Sequence, residues 1–235
     1  MKGMGTVFLI PCYLHETNMD CLPAYILDAV KQCNVYYVEN DRTARRYLKR
    51  WWKEMVIDDY EWQVIGKAEN QVQQQFLKDL KAGKNIGIIS EAGCPGIADP
   101  GQILISIAQK HGAKVAPLVG PNSILLALMA SGMNGQNFTF HGYLPIDNAA
   151  RDKKIKWMES HSSNDESTHI FIETPYRNQK LVESILKNCK PTTKLCIAVD
   201  ITAPSESIIT KTVSEWIKDT PSDLHKRPAI FCLQS

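Results

Sequence analysis

The chain has 235 residues, 44% hydrophobic and 22% charged, with a formal net charge of +2. This is the composition of a folded chain long enough for one large α/β domain or two modest ones, and it excludes a low-complexity chain. A near-neutral balance neither demands nor excludes a nucleic-acid partner, so local charge clusters carry that question. Val7-Phe-Leu-Ile10 predicts a first buried strand. It is too short for a signal peptide and Pro11 follows at once, so no leader is expected. Residues 23–33 predict a helix with proline in its first turn. Val35-Tyr-Tyr-Val38 predicts a second strand, and Asp41 is the expected cap of a basic helix running to about Trp52. A weaker strand is predicted at 63–65, a helix at 69–80 ended by Gly83, and a strand at Ile86-Gly-Ile-Ile89.

Asp99-Pro100-Gly101 reads as the start of the next helix, with Asp99 as its cap. Ile103, Leu104, Ile107 and Ala108 give that helix one apolar face, and Gly112 closes it. Residues 114–118 predict a fifth strand. Residues 1–118 therefore read as strand-helix repeats, the mark of a largely parallel sheet. Beyond a turn at Val119-Gly-Pro-Asn122, Ser123 is expected to cap a helix over 124–130. Strands follow at 138–140, 168–173, 195–200, 207–213 and 229–233, with helices at 151–159 and 175–189. The polar run 161–167 is expected to be a mobile loop. The predicted organisation is an N-terminal α/β domain, 1–119, and a C-terminal α/β domain, 120–235. No stretch approaches a membrane span, and a cytoplasmic location is expected.

The seven cysteines are odd in number and contain no C-x-x-C pair, which argues against a disulfide framework or a zinc ribbon. Cys196, inside Leu195-Cys-Ile-Ala-Val199, reads as a small buried hydrophobe. No Gly-Lys-[Ser/Thr] follows a glycine-rich loop, so there is no P-loop. There is no G-x-G-x-x-G after the first strand, no H-E-x-x-H and no G-x-S-x-G. No metal is expected.

In open α/β sheets, ligands bind outside the carboxyl ends of strands. Three such ends carry unusual residues: Pro11-Cys-Tyr13, Ser90-Glu-Ala-Gly-Cys-Pro-Gly-Ile-Ala-Asp-Pro-Gly101, and Val119-Gly-Pro-Asn-Ser123. The middle one is the most informative. Its glycines allow close approach of backbone to a ligand, its prolines stiffen it, and it feeds a helix N-terminus. The competing reading is a tight turn without a ligand.

That segment resembles the S-D-A-G-T-P-x-x-x-D-P-G motif of the ribosomal small-subunit methyltransferase I family, within the tetrapyrrole methylase superfamily. Val119-Gly-Pro-Asn-Ser123 resembles its P-G-P-S-A, and Ala127-Leu-Met-Ala-Ser-Gly-Met133 its A-L-S-A-S-G-L. Phe138-Thr-Phe-His-Gly-Tyr-Leu-Pro145 resembles F-x-F-x-G-F-L-P, and Glu173-Thr-Pro-Tyr-Arg177 resembles E-S-P-H-R. Glu91 stands where the family has aspartate, and Asp200-Ile-Thr-Ala203 stands for its E-L-T-K. The early P-I-G-N-L keeps little beyond Pro11.

The resemblance implies two α/β domains with mainly parallel or mixed sheets and S-adenosyl-L-methionine bound in the cleft between them. It also implies a homodimer that methylates a ribose 2′-hydroxyl of small-subunit ribosomal RNA. The superfamily pattern assigns cofactor contacts to Pro11, Glu91, Ala92, Gly93, Cys94, Ile97, Ser123, Ile124, Ile172 and Ala198. On the acceptor side, Glu39, Arg42, Glu173 and Arg177 match polar motif positions. Glu39 or Glu173 could take the hydroxyl proton, and Arg42 or Arg177 could hold a phosphate. Alternatively, Glu173 and Arg177 pair with each other. Two basic clusters suit RNA. One holds Arg42, Arg45, Arg46 and Lys49 with Arg50 and Lys53, beside Trp51 and Trp52; the other holds Arg151 and Lys153 with Lys154 and Lys156. The alternative is solvated helix faces. Methylation of a tetrapyrrole or other small molecule, and S-adenosylmethionine binding without catalysis, are the competing functions.

Overall fold

The computed structural model describes residues 3–66 and 69–235. The chain divides into two compact units, Met1–Asn122 and Ser123–Ser235. In the first, the short apolar runs form five strands: β1 Val7–Ile10, β2 Val35–Val38, β3 Glu61–Val64, β4 Ile86–Ile89 and β5 Val115–Pro117. All pair in parallel, in the order β3-β2-β4-β1-β5. Four helices connect them: α1 Ile26–Gln32, α2 Asp41–Trp51, α3 Glu69–Lys81 and α4 Gln102–Lys110.

A parallel sheet is buried on both faces, and two separate cores show how. On one face α1 and α2 bury Ile26, Val30, Tyr47 and Leu48 against Ile10, Tyr36 and Val38. On the other, α3 and α4 bury Phe76, Leu80, Leu104 and Ala108 against Val7, Tyr37 and Ile88. Gly87 sits in β4 where a Cβ would lie 2.7 Å from the Tyr36 ring. Its absence lets that ring stack on Trp62, with centroids 4.8 Å apart.

The second unit has a mixed sheet of β6 Phe138–Tyr143, β7 Thr168–Ile172, β8 Lys194–Val199, β9 Ser207–Thr212 and β10 Ala229–Gln234, in the order β6-β7-β10-β8-β9. Only β6 and β7 run parallel; the other pairs are antiparallel. α6 Asn148–Asp165, α7 Asn178–Asn188 and α8 Val213–Lys218 cover one face, where Met158, Leu181 and Trp216 meet Phe171, Ile197 and Phe231. The apolar helix α5 Ser123–Ser131 lies against β8, β9 and β10.

The α/β class holds, and several local expectations change. Asn40, not Asp41, caps α2, because its side chain accepts from the Arg42 and Thr43 amides. Ser123 is the first residue of α5 rather than its cap. The expected loop 161–167 is largely helix: α6 continues to Asp165, and Glu166 ends it in the left-handed region at φ 55°. Ser162 makes this possible. It is fully buried yet satisfied, its hydroxyl donating to Ser167 O at 2.7 Å. The helix α8 adds to the expected elements. Its signal is Thr212-Val-Ser-Glu215, a reciprocal capping box.

Under α6, His141 Nε2 lies 2.8 Å from His169 Nδ1, and Trp157 packs edge-on to His141. Burial, helped by Lys154 and His169, pushes His141 from 6.5 down to about 4, and burial also lowers His169. The unfolded imidazoles take up protons first as pH falls. Stability is therefore complete above about 6.5 and is lost between there and about 4. The thermal midpoint should fall between about pH 7.5 and about pH 5, and His141→Asn should flatten that fall. An identical pH dependence in the variant would refute the assignment.

Candidate active site

The order of the first sheet creates a crevice. β1 and β4 are neighbours, but the chain leaves β1 for α1 on one face and leaves β4 for α4 on the other. Two loops diverging from adjacent parallel strands leave an opening at their carboxyl ends. The loops are also stitched together there. Cys12 N donates to Gly93 O at 2.8 Å, and Gly93 N donates to Cys12 O at 3.2 Å. Gly93 has φ 73°, a conformation that costs other residues energy.

The loop from Ser90 to Gly101 is held from below. Asp99 accepts from Gly96 N and Gly101 N, both at 2.7 Å, one on each carboxylate oxygen. Burial raises the Asp99 pKa, opposed by these backbone bonds. Asp99 is therefore a loop brace, and Gly101 takes the N-cap position that the sequence assigned to Asp99. Gly96, at φ 84°, leaves room for Ile105, whose Cδ1 would lie 2.7 Å from a Cβ. With the brace below, Glu91, Ala92, Ile97 and Ala98 are presented to solvent.

The third strand end packs alongside. A Cβ on Gly120 would fall 2.1 Å from Pro11 Cβ, so only glycine lets the β5 loop lie on Pro11. Tyr47 donates to Pro11 O at 2.6 Å, and Val119 N donates to Tyr25 Oη at 2.7 Å. The Cys94 thiol reaches Pro121 O at 3.4 Å. Burial pushes the Cys12 thiol up to about 12 and raises Cys94 as well, so both stay protonated near neutral pH.

Of the predicted cofactor residues, Pro11, Glu91, Ala92, Gly93, Cys94 and Ile97 gather at this crevice. Glu39 joins them: its Oε2 accepts from Glu91 N at 3.1 Å. That bond makes it a support of the loop. Ser123 and Ile124 open α5, and Ile124 is buried. In the second unit Ile172 ends β7, and Glu173 follows it, buried. One oxygen of Glu173 accepts from Arg177 Nε at 3.0 Å, Arg177 Nη2 at 2.5 Å and Thr174 N at 2.7 Å. The pairing that the sequence left open is therefore formed. Ala198 is fully buried within β8, in register with Ile208 and Ile230.

The basic clusters separate into solvated and structural residues. Arg42 and Arg46 are exposed on α2 and Lys153 on α6. Arg45 pairs with Asp41 at 3.6 Å and lies over Trp62 at 5.1 Å. Lys49 Nζ donates to Lys53 O and Met55 O, closing the end of α2. Arg151 is a correction. It is buried, donates to Asn148 Oδ1 at 2.8 Å and reaches Ile146 O at 3.5 Å, so it ties the first turn of α6 to the segment before it. Asp99→Ala should destabilise the first unit by about 1–3 kcal/mol in urea denaturation, because two amides lose their acceptor. A cost near zero would mean that Asp99 does not brace the loop.

The family model for tetrapyrrole (corrin/porphyrin) methylases matches residues 18–217. A ribosomal RNA small subunit methyltransferase I of Vibrio cholerae serotype O1 is 28% identical over 219 residues, which cover 92% of this chain and 72% of the relative. The protein of that name from Bacillus subtilis strain 168 is also 28% identical, over 92% of this chain and 70% of its own. In fold, the chain is similar to the crystal structure of uroporphyrin-III C-methyl transferase from Thermus thermophilus complexed with S-adenyl homocysteine. The TM-score is 0.57 at 15% identity, over 98% of each chain. With the match spanning residues 18–217 of the 235, the chain belongs to the tetrapyrrole (corrin/porphyrin) methylase family and is a methyltransferase.

Proposed function

We propose that this methyltransferase uses S-adenosyl-L-methionine to methylate a ribose 2′-hydroxyl in small-subunit ribosomal RNA. The observation that carries the cofactor reading is the braced loop at the β1/β4 crevice, whose exposed residues Glu91 and Ala92 bring the Glu91 carboxylate beside that of Glu39. A cationic sulfonium and ammonium group suits that charge. The acceptor reading rests on the relatives named as ribosomal RNA methyltransferases.

Bound there, S-adenosylmethionine supplies a methyl group already activated by its sulfonium. The protein's task is to align it with the acceptor and exclude rival nucleophiles. The Glu91–Cys94 backbone and Ile97 position the cofactor, and Glu39 holds Glu91 N in place. Cys12 and Cys94, kept as thiols by burial, do not compete as thiolates for the methyl. In the second unit Glu173 fixes the Arg177 guanidinium, which offers a fork to a phosphate of the RNA. Arg42, Arg46 and Lys153 add further phosphate partners. Leu125 and Met129, exposed on α5, offer apolar surface for a homodimer, and a ribosomal RNA substrate puts the enzyme in the cytoplasm.

Labelled S-adenosylmethionine incubated with immature small ribosomal subunits should yield label in a 2′-O-methylated nucleotide. Label in a tetrapyrrole only, or in no acceptor, would overturn this reading. Glu173→Gln should lower turnover by about 10²-fold with cofactor affinity unchanged by calorimetry, because it loosens Arg177. RNA affinity should fall steeply with salt, and replacing Arg42 and Arg46 by alanine should flatten the logarithmic slope by about 0.7 for each phosphate no longer neutralised.

A further inference from the structure

Two tyrosines outside the machinery above stand in solvent at one end of the second sheet. β6 and β7 are parallel, so their carboxyl ends lie side by side, and Tyr143 is in register with Ile172. Tyr143 is 60% exposed, and Tyr176, four residues beyond Ile172, is 68% exposed. Both backbones are fastened from within. Arg151 donates to Asn148 Oδ1 at 2.8 Å and reaches Ile146 O at 3.5 Å. This fixes the turn after β6 with Leu144 inside and Tyr143 outside. On the other side Lys226 N donates to Pro175 O at 3.1 Å, and Asn178 Nδ2 donates to Arg227 O at 2.7 Å. These bonds hold the 224–227 turn against the 174–177 turn. His225 then meets the Tyr176 ring edge-on, with centroids 5.7 Å apart.

Two aromatic rings left in solvent on fastened turns offer flat faces to a ligand, and the groups around them define it further. Arg177, held by Glu173, is partly exposed, and Lys180 and Lys226 are exposed beside the same turns. Planar rings set among cations match the alternating bases and phosphates of a single strand. Unpaired bases in RNA are commonly gripped by stacking on aromatic side chains. A protein partner would instead favour a contiguous apolar patch with few charges.

We propose that Tyr143 and Tyr176 form a nucleobase-stacking platform for the single-stranded RNA segment that carries the target ribose. This rests on the ribose-methylation reading and adds to it how the acceptor strand is held. The stacking faces are sequence-tolerant, so the platform grips an unpaired strand without choosing the base.

The test uses fluorescence anisotropy of the full chain with a fluorescein-labelled single-stranded RNA oligonucleotide and an abasic strand of equal length. Tyr143→Ala and Tyr176→Ala should each weaken binding of the intact strand by about tenfold, while the phenylalanine variants bind as the parent does. The parent should hold the abasic strand as weakly as the alanine variants hold the intact one. Cofactor affinity and melting temperature should not move. Alanine variants that bind the intact strand like the parent, or that lose both strands equally, would overturn the platform. If methyl transfer to ribosomal RNA persists in those variants, only the platform falls. A parent chain that neither binds the strand nor methylates RNA would remove both readings.

Discussion

The arrangement of β1 and β4 governs the candidate site. They are parallel neighbours whose following chains depart to opposite faces, and no local interaction could create the opening between their ends. Everything that furnishes the opening hangs from it. The paired amides of Cys12 and Gly93 close its floor. The brace of Asp99 fixes one rim, and the packing of Gly120 on Pro11 fixes the other. The glycines here answer to geometry: Gly93 and Gly96 lie at positive φ, and Gly120 has no space for a side chain.

The second unit uses its arginines as fasteners. Arg151, Arg177 and Arg227 each end in hydrogen bonds to nearby backbone, amide or carboxylate groups. Arg227 alone joins Asp200 at 2.8 Å, Ser205 O at 2.9 Å and Asp223 at 3.3 Å. A guanidinium with several fixed donors can hold two turns at once, which a lysine cannot do. This explains why the turn after β8, where positive φ occurs at Asp200 and Thr202, keeps a defined shape without glycine. It also explains why a count of basic residues overstates the cation surface open to solvent.

The chemistry near the crevice is electrostatically simple. Carboxylates are present, and the thiols are kept neutral by burial. Methyl transfer from a sulfonium needs no enzyme nucleophile, so a site that suppresses its own cysteines and devotes its backbone to positioning suits the reaction class. The same logic separates the roles of the two candidate glutamates. Glu39 serves the loop through an amide, and Glu173 serves a guanidinium.

Much of this was legible in the chain itself. Four-residue apolar runs separated by helical periodicity marked β1, β2 and β4, because a strand buried on both faces must be apolar throughout. The loop Ser90–Gly101 stood out by its glycines and prolines, and the run of motifs identified the family. What the sequence could not carry was direction and partner. Arg151 looks like a solvated cation beside Lys153, yet it is buried, and Lys49, exposed like Arg46, closes a helix end. The run 161–167 looks like loop because its residues are polar, but Ser162 buries its hydroxyl by donating to Ser167 O. That Glu39 accepts from the amide of Glu91, 52 residues away, is likewise invisible in the sequence. Residue type and spacing determined the strands, the loop and the family. The tertiary structure alone decided which charges face solvent, since burial depends on neighbours distant in the chain.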